Sequence, residues 1–90
     1  MNQGGQEFIR EAFDLYRTAL QKGLLAEQGY ISAYTFKNII RIGTALDEHD
    51  WTQKFFEQYQ AMLHPRERGR AVPYNAAFLH FRRQEYHLAM

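Results

Sequence analysis

Apolar side chains recur at three- and four-residue intervals in four blocks of this chain, and nowhere do they alternate with polar ones over a strand's length. The first block predicts a helix over about residues 6–22, with Phe8, Ile9, Ala12, Phe13, Tyr16, Ala19 and Leu20 on one stripe. Gly23 follows as a natural stop, because glycine tolerates the left-handed backbone that ends helices. Ser32 reads as the N-cap of a second helix over about residues 33–46, whose apolar positions are Phe36, Ile39, Ile40, Ile42 and Leu46. Asp47 is the expected cap of a third, about residues 48–63, striped by Trp51, Phe55, Phe56, Tyr59, Met62 and Leu63 and ended by Pro65. A basic turn, Arg66-Glu67-Arg68-Gly69-Arg70, then leads to a fourth helix over about residues 72–83, placed there because Pro73 suits a first turn. Residues from about 85 to 90 read as the start of a further helix beyond a turn at Gln84. Connections this short suit antiparallel neighbours. The expectation is an all-α fold in a single domain over residues 1–90.

Composition narrows how such a fold is stabilised. A chain of 90 residues buries a small core, and without cysteine it has no disulfide to support it. Seven Phe, six Tyr and one Trp supply the needed area, since each aromatic buries a large surface on a short helix. The absence of cysteine also removes thiol catalysis and thiolate metal sites, and it fits a reducing compartment. No apolar run reaches the roughly 20 residues that span a bilayer, and the first residues lack the basic start and apolar stretch of a signal peptide. A soluble, cytoplasmic protein with no membrane partner is expected.

Shifting the chain on itself by 34 residues sets Ile40 on Tyr74, Ile42 on Ala76, Gly43 on Ala77 and Leu46 on His80. Trp51 falls on Tyr86 at an offset of 35, each preceded by an acidic residue, Asp50 or Glu85. A small residue inside one helix admits a close neighbour, and an aromatic at the start of the next fills the gap. This spacing resembles the tetratricopeptide repeat (TPR), with the strongest likeness over residues 74–89. There Asn75, Ala77, Tyr86 and Ala89 take the polar, small, aromatic and small positions, and Pro65 sits where a repeat-closing proline is expected. His80, Gln84 and Lys54 depart from the family's pattern.

The resemblance implies stacked antiparallel helix pairs and a scaffold that binds a protein or peptide partner. Carried over by position, the binding residues would be Lys37, Ile40, Arg41, Thr44, Tyr74, Asn75, Phe78 and Arg82. Some members clamp a C-terminal carboxylate, but here the Lys37–Arg41 pair precedes Asn75, the wrong order for that clamp. Phe78, Leu79 and Phe81 also predict an exposed apolar face near the end of the chain. Such a face implies either further repeats or self-association into a homo-oligomer.

Reactive constellations are absent from the pattern. His49, His64, His80 and His87 form no His-Glu-x-x-His signature and no i, i+4 pair. Asp47, Glu48, His49 and Asp50 are explained by a helix start, where carboxylates cap and complement the dipole. No glycine-rich phosphate loop appears. No enzyme, cofactor or metal is therefore expected. The alternative to protein binding is a nucleic-acid module using the basic segment 66–70 with Arg82 and Arg83, and with Tyr74, Phe78 and Phe81 available to stack on bases. A net charge of only +1 speaks against it, because phosphate affinity accumulates with positive contacts.

Overall fold

Chain reversals fix the ends of the helices before packing acts on them. The computed structural model describes the backbone of residues 3–26 and 28–89, and side chains within 7–26 and 28–85. It contains α1 (Gln3–Gln21), α2 (Ala33–Ala45), α3 (His49–Tyr59) with a 3-10 turn at Gln60–Met62, and α4 (Pro65–Ala89). The all-α fold expected from the periodicity is the one observed.

Gly23 ends α1 with a positive φ of 70°. Its N–H donates to the Leu20 carbonyl and that of Leu24 to Ala19, which together close the last turn. Ser32 caps α2: its Oγ accepts from the Thr35 N–H at 3.0 Å. Asp47, expected to cap α3, instead closes α2. At φ 60° it takes the left-handed position, donating to Thr44, while the Glu48 N–H donates to Gly43. Aspartate tolerates that conformation better than most residues, because its short polar side chain bonds locally. Glu48 then becomes the N-cap of α3 but makes no side-chain cap bond. Its carboxylate pairs with Arg10 at 3.0 Å instead.

The fourth helix differs most from expectation. It is one continuous helix from Pro65 to Ala89, with no turn at 66–70 and no break at Gln84. Pro65 therefore opens α4 and does not close α3. His64 is its cap: Nδ1 accepts from the Arg66 N–H at 3.1 Å, and the His64 carbonyl accepts from both Glu67 and Arg68. The Arg68 guanidinium turns back to donate to the carbonyls of Ala61 and Leu63, satisfying the end of the preceding 3-10 turn. Pro73 lies inside the helix, where its ring opposes the Gly69 carbonyl. Packing on both sides carries the helix through it, for Ala71, Asn75 and Leu79 form a buried stripe at four-residue spacing.

Among the helices, α2 is central and packs on α1, α3 and α4. Phe36, Ile39 and Ile40 are fully buried at this junction with Phe55, Phe56, Ile31, Leu63, Ala71 and Leu79. The two longer connections meet there too, as Ile31 and Leu63 form a single parallel bridge in which Ile31 N–H donates to the Met62 carbonyl. Helix α1 docks through Tyr16 and Leu20, which pack against this core, and through Phe13, whose ring meets Trp51 edge-on with centroids 4.9 Å apart. Trp51 in turn stacks on Phe55. The Arg17 guanidinium lies over both Phe13 and Trp51. Phe8, expected on the buried stripe of α1, is 78% exposed.

Candidate functional site

Small residues at the crossing of two helices leave a groove, and large ones at its rim deepen it. Where the start of α2 faces the first half of α4, Ala33 and Ala71 are too short to fill the space. Tyr34 and Tyr74 rise beside them with half or more of each side chain exposed. The resulting groove has a volume of about 540 Å³ and is bounded further by Lys37, Arg66, Glu67, Arg70 and Asn75. That volume lies in the range typical of ligand sites.

Each rim residue has a local reason for its place. Lys37 is one turn along α2 from Ala33, with its ammonium 5.5 Å from the Tyr34 ring centroid. Arg66 and Arg70, one turn apart on α4, project to the same side because the helix begins at Pro65. Tyr74 is steadied from α2, where Arg41 donates to its hydroxyl. The same guanidinium lies 5.0 Å from the centroid of the Phe78 ring. Asn75 is buried at the groove wall: its Nδ2 donates to the Ala71 carbonyl at 2.8 Å, and Oδ1 is without a hydrogen-bond partner.

The eight residues anticipated from the repeat register do not all fall in one place. Lys37, Arg41, Tyr74 and Phe78 gather on the α2–α4 face, with Lys37 and Tyr74 lining the groove itself. Ile40 and Thr44 belong to the interior, and Asn75 is also buried but reaches the groove. Arg82 lies further along α4, paired with Glu85 at 3.2 Å. The register missed Tyr34, Arg66 and Arg70. Their signal, a pair of arginines four apart, becomes readable only once 66–70 is helical and not a turn.

The register pairs also occupy unlike environments. Gly43 is buried against Thr52, whereas Ala77 is exposed and the chain runs helically past Gln84. The side chains of Tyr86 and Ala89, which complete that register, lie outside the described residues. Of the apolar C-terminal face, Leu79 is buried, Phe78 is half-buried, and Phe81 is exposed.

The remaining polar clusters have structural partners. His80 and Gln84 are within hydrogen-bond distance across one helical turn, at 3.2 Å. His49 Nε2 lies 3.5 Å from a carboxylate oxygen of Asp47. Among the described residues, no three His, Asp or Glu side chains converge to hold a metal, and no helix is long and apolar enough to cross a membrane. Comparison with family models, curated proteins and solved structures finds no match for this chain.

Proposed function

We propose that this chain is a non-catalytic protein-binding module that takes a segment of a partner polypeptide in the groove between α2 and α4. The observation that carries this reading is the groove itself, an apolar floor of Ala33 and Ala71 between two largely exposed tyrosines. Tyrosine in such a place offers a rigid, amphipathic contact surface at little entropic cost, which is why it recurs at binding hot spots. The lack of cysteine supports the cytoplasm as the setting.

Selection of random peptides on the immobilised protein tests this reading. Enriched peptides should bind the wild type and lose roughly tenfold or more in affinity to the double variant Tyr34→Ala/Tyr74→Ala. Both side chains are exposed, so the variant should keep the helical circular dichroism of the wild type. Peptides that bind both proteins equally would place the contact elsewhere and sink the assignment.

A nucleic-acid role is the second reading, favoured by one observation: Arg66 and Arg70 meet Lys37 beside two tyrosine rings. Three other arginines are engaged within the chain, Arg41 with Tyr74, Arg68 with backbone carbonyls and Arg82 with Glu85. The groove therefore offers a short cluster of charge and not a track along which a phosphate backbone would run.

A further inference from the structure

We propose that the α2–α4 groove selects an internal acidic segment of its partner, one in which carboxylate side chains flank an aromatic or large aliphatic residue. The proposal rests on the peptide-binding reading above and specifies the chemistry of the occupant.

Charge is the first ground. Lys37 stands on the α2 wall, and Arg66 and Arg70 stand on the α4 wall, with Glu67 the single carboxylate among the lining residues. Positive charge thus lies on both sides of one apolar floor, although the whole chain carries only +1. The imbalance belongs to this place. Two arginines one helical turn apart can each take a carboxylate by paired N–H···O bonds, a geometry that guanidinium groups favour.

Shape is the second ground. The floor is short and apolar, so it accepts one large side chain between charged neighbours. A flanking carboxylate on either side then reaches Lys37 or the arginine pair. Tyr34 and Tyr74 border the pocket and supply edges and faces for an aromatic occupant. In an extended segment the residues two before and two after the large side chain share its face, so carboxylates at those positions meet the charged rim. Glu67 sits between Arg66 and Arg70 in sequence and shares the lining with them, which penalises a continuous run of phosphates more than two spaced carboxylates.

The probe is a pentapeptide of sequence Asp-Ser-Phe-Ser-Asp, acetylated and amidated so that neither terminus is charged. Its analogues carry asparagine or lysine in place of aspartate, and hexathymidylate is the nucleic-acid control. Binding to the full chain is followed by titration calorimetry and by backbone amide shifts. The aspartate peptide should bind about tenfold or more tightly than the asparagine analogue, and the lysine analogue should not bind. Its affinity should fall as salt rises from about 50 to about 300 mM. Arg66→Gln/Arg70→Gln should remove most of the difference between the aspartate and asparagine peptides while leaving the melting temperature within about 2 °C, both side chains being exposed.

Equal binding of the aspartate and asparagine peptides would overturn the acidic preference and leave the groove as a peptide site. Failure of every one of these peptides would overturn the acidic preference, and the peptide-binding reading falls with it only if random-peptide selection also yields nothing that depends on Tyr34 and Tyr74. Tighter binding of hexathymidylate than of the aspartate peptide, abolished by the same arginine variant, would overturn the proposal in favour of nucleic acid.

Discussion

Gly43 and Thr52 meet where α2 crosses α3, and no side chain larger than hydrogen fits at the first position. A Cβ placed on Gly43 would stand 2.1 Å from Thr52 Oγ1 and 3.2 Å from its Cβ. Thr52 has little freedom to yield, since it is fully buried and its hydroxyl donates to the Glu48 carbonyl. Alanine is the better helix former by roughly 1 kcal/mol, yet overpacking a buried contact costs about 1–3 kcal/mol, so the clash should win. Gly43→Ala is therefore expected to lower the unfolding free energy by up to about 2 kcal/mol in urea titrations. Adding Thr52→Ala removes the offending oxygen, and the double variant should lose less than the sum of the two single losses. Additive losses would mean that the two helices do not bear on one another here.

Helix α4 shows how an element can override its own local signals. Pro73 and Gly69 both argue against a helix interior, and the buried stripe of Ala71, Asn75 and Leu79 is too weakly apolar to announce itself. The sequence therefore favours a start near residue 72, although Pro65 at the first helical position and Glu67 in the first turn are start signals too. The cap was the hidden part, because histidine is not among the usual N-cap residues. Where the chemistry was ordinary, in Gly23, Ser32 and the Phe36–Ile39–Ile40 stripe, the pattern and the structure coincide. The groove was only half visible, since Lys37 and Tyr74 lay in the repeat register while Arg66 and Arg70 needed the longer helix to share a face. That longer helix has a consequence. A Cβ on Gly69 would meet nothing within 4 Å, so Gly69→Ala should stabilise by about 0.5–1 kcal/mol. Exposed Pro73→Ala should add about 1–3 kcal/mol by restoring the amide that can donate to the residue 69 carbonyl. Each kilocalorie is worth roughly 4–8 °C in melting temperature for a chain of this size. If residues 66–70 formed a turn, Gly69→Ala would be neutral or harmful.

At the scale of the molecule, the helices are unequally bound. Helix α2 shares the interior with α3 and α4, whereas the backbone of α1 approaches that of α2 alone among the helices. The most buried described side chain of α1 is Phe13, held between Trp51 and the guanidinium groups of Arg10 and Arg17, with Tyr16 and Leu20 packed against the core beside it. The ion pair from Arg10 to Glu48 is exposed at both ends and adds little. Phe13→Ala removes a buried aromatic, a change that costs about 3 kcal/mol or more, and the loss should fall on α1 first. Hydrogen exchange is expected to show the amides of α1 opening well before those of α2 and α4. Among the described residues none from α1 lines the groove, which is built from α2 and α4 and braced by Arg41 on Tyr74. The variant should therefore keep its affinity for a groove-binding peptide within about twofold at temperatures where α2 stays protected. An affinity that fell in step with the opening of α1 would show that the groove depends on the whole assembly and not on its α2–α4 half.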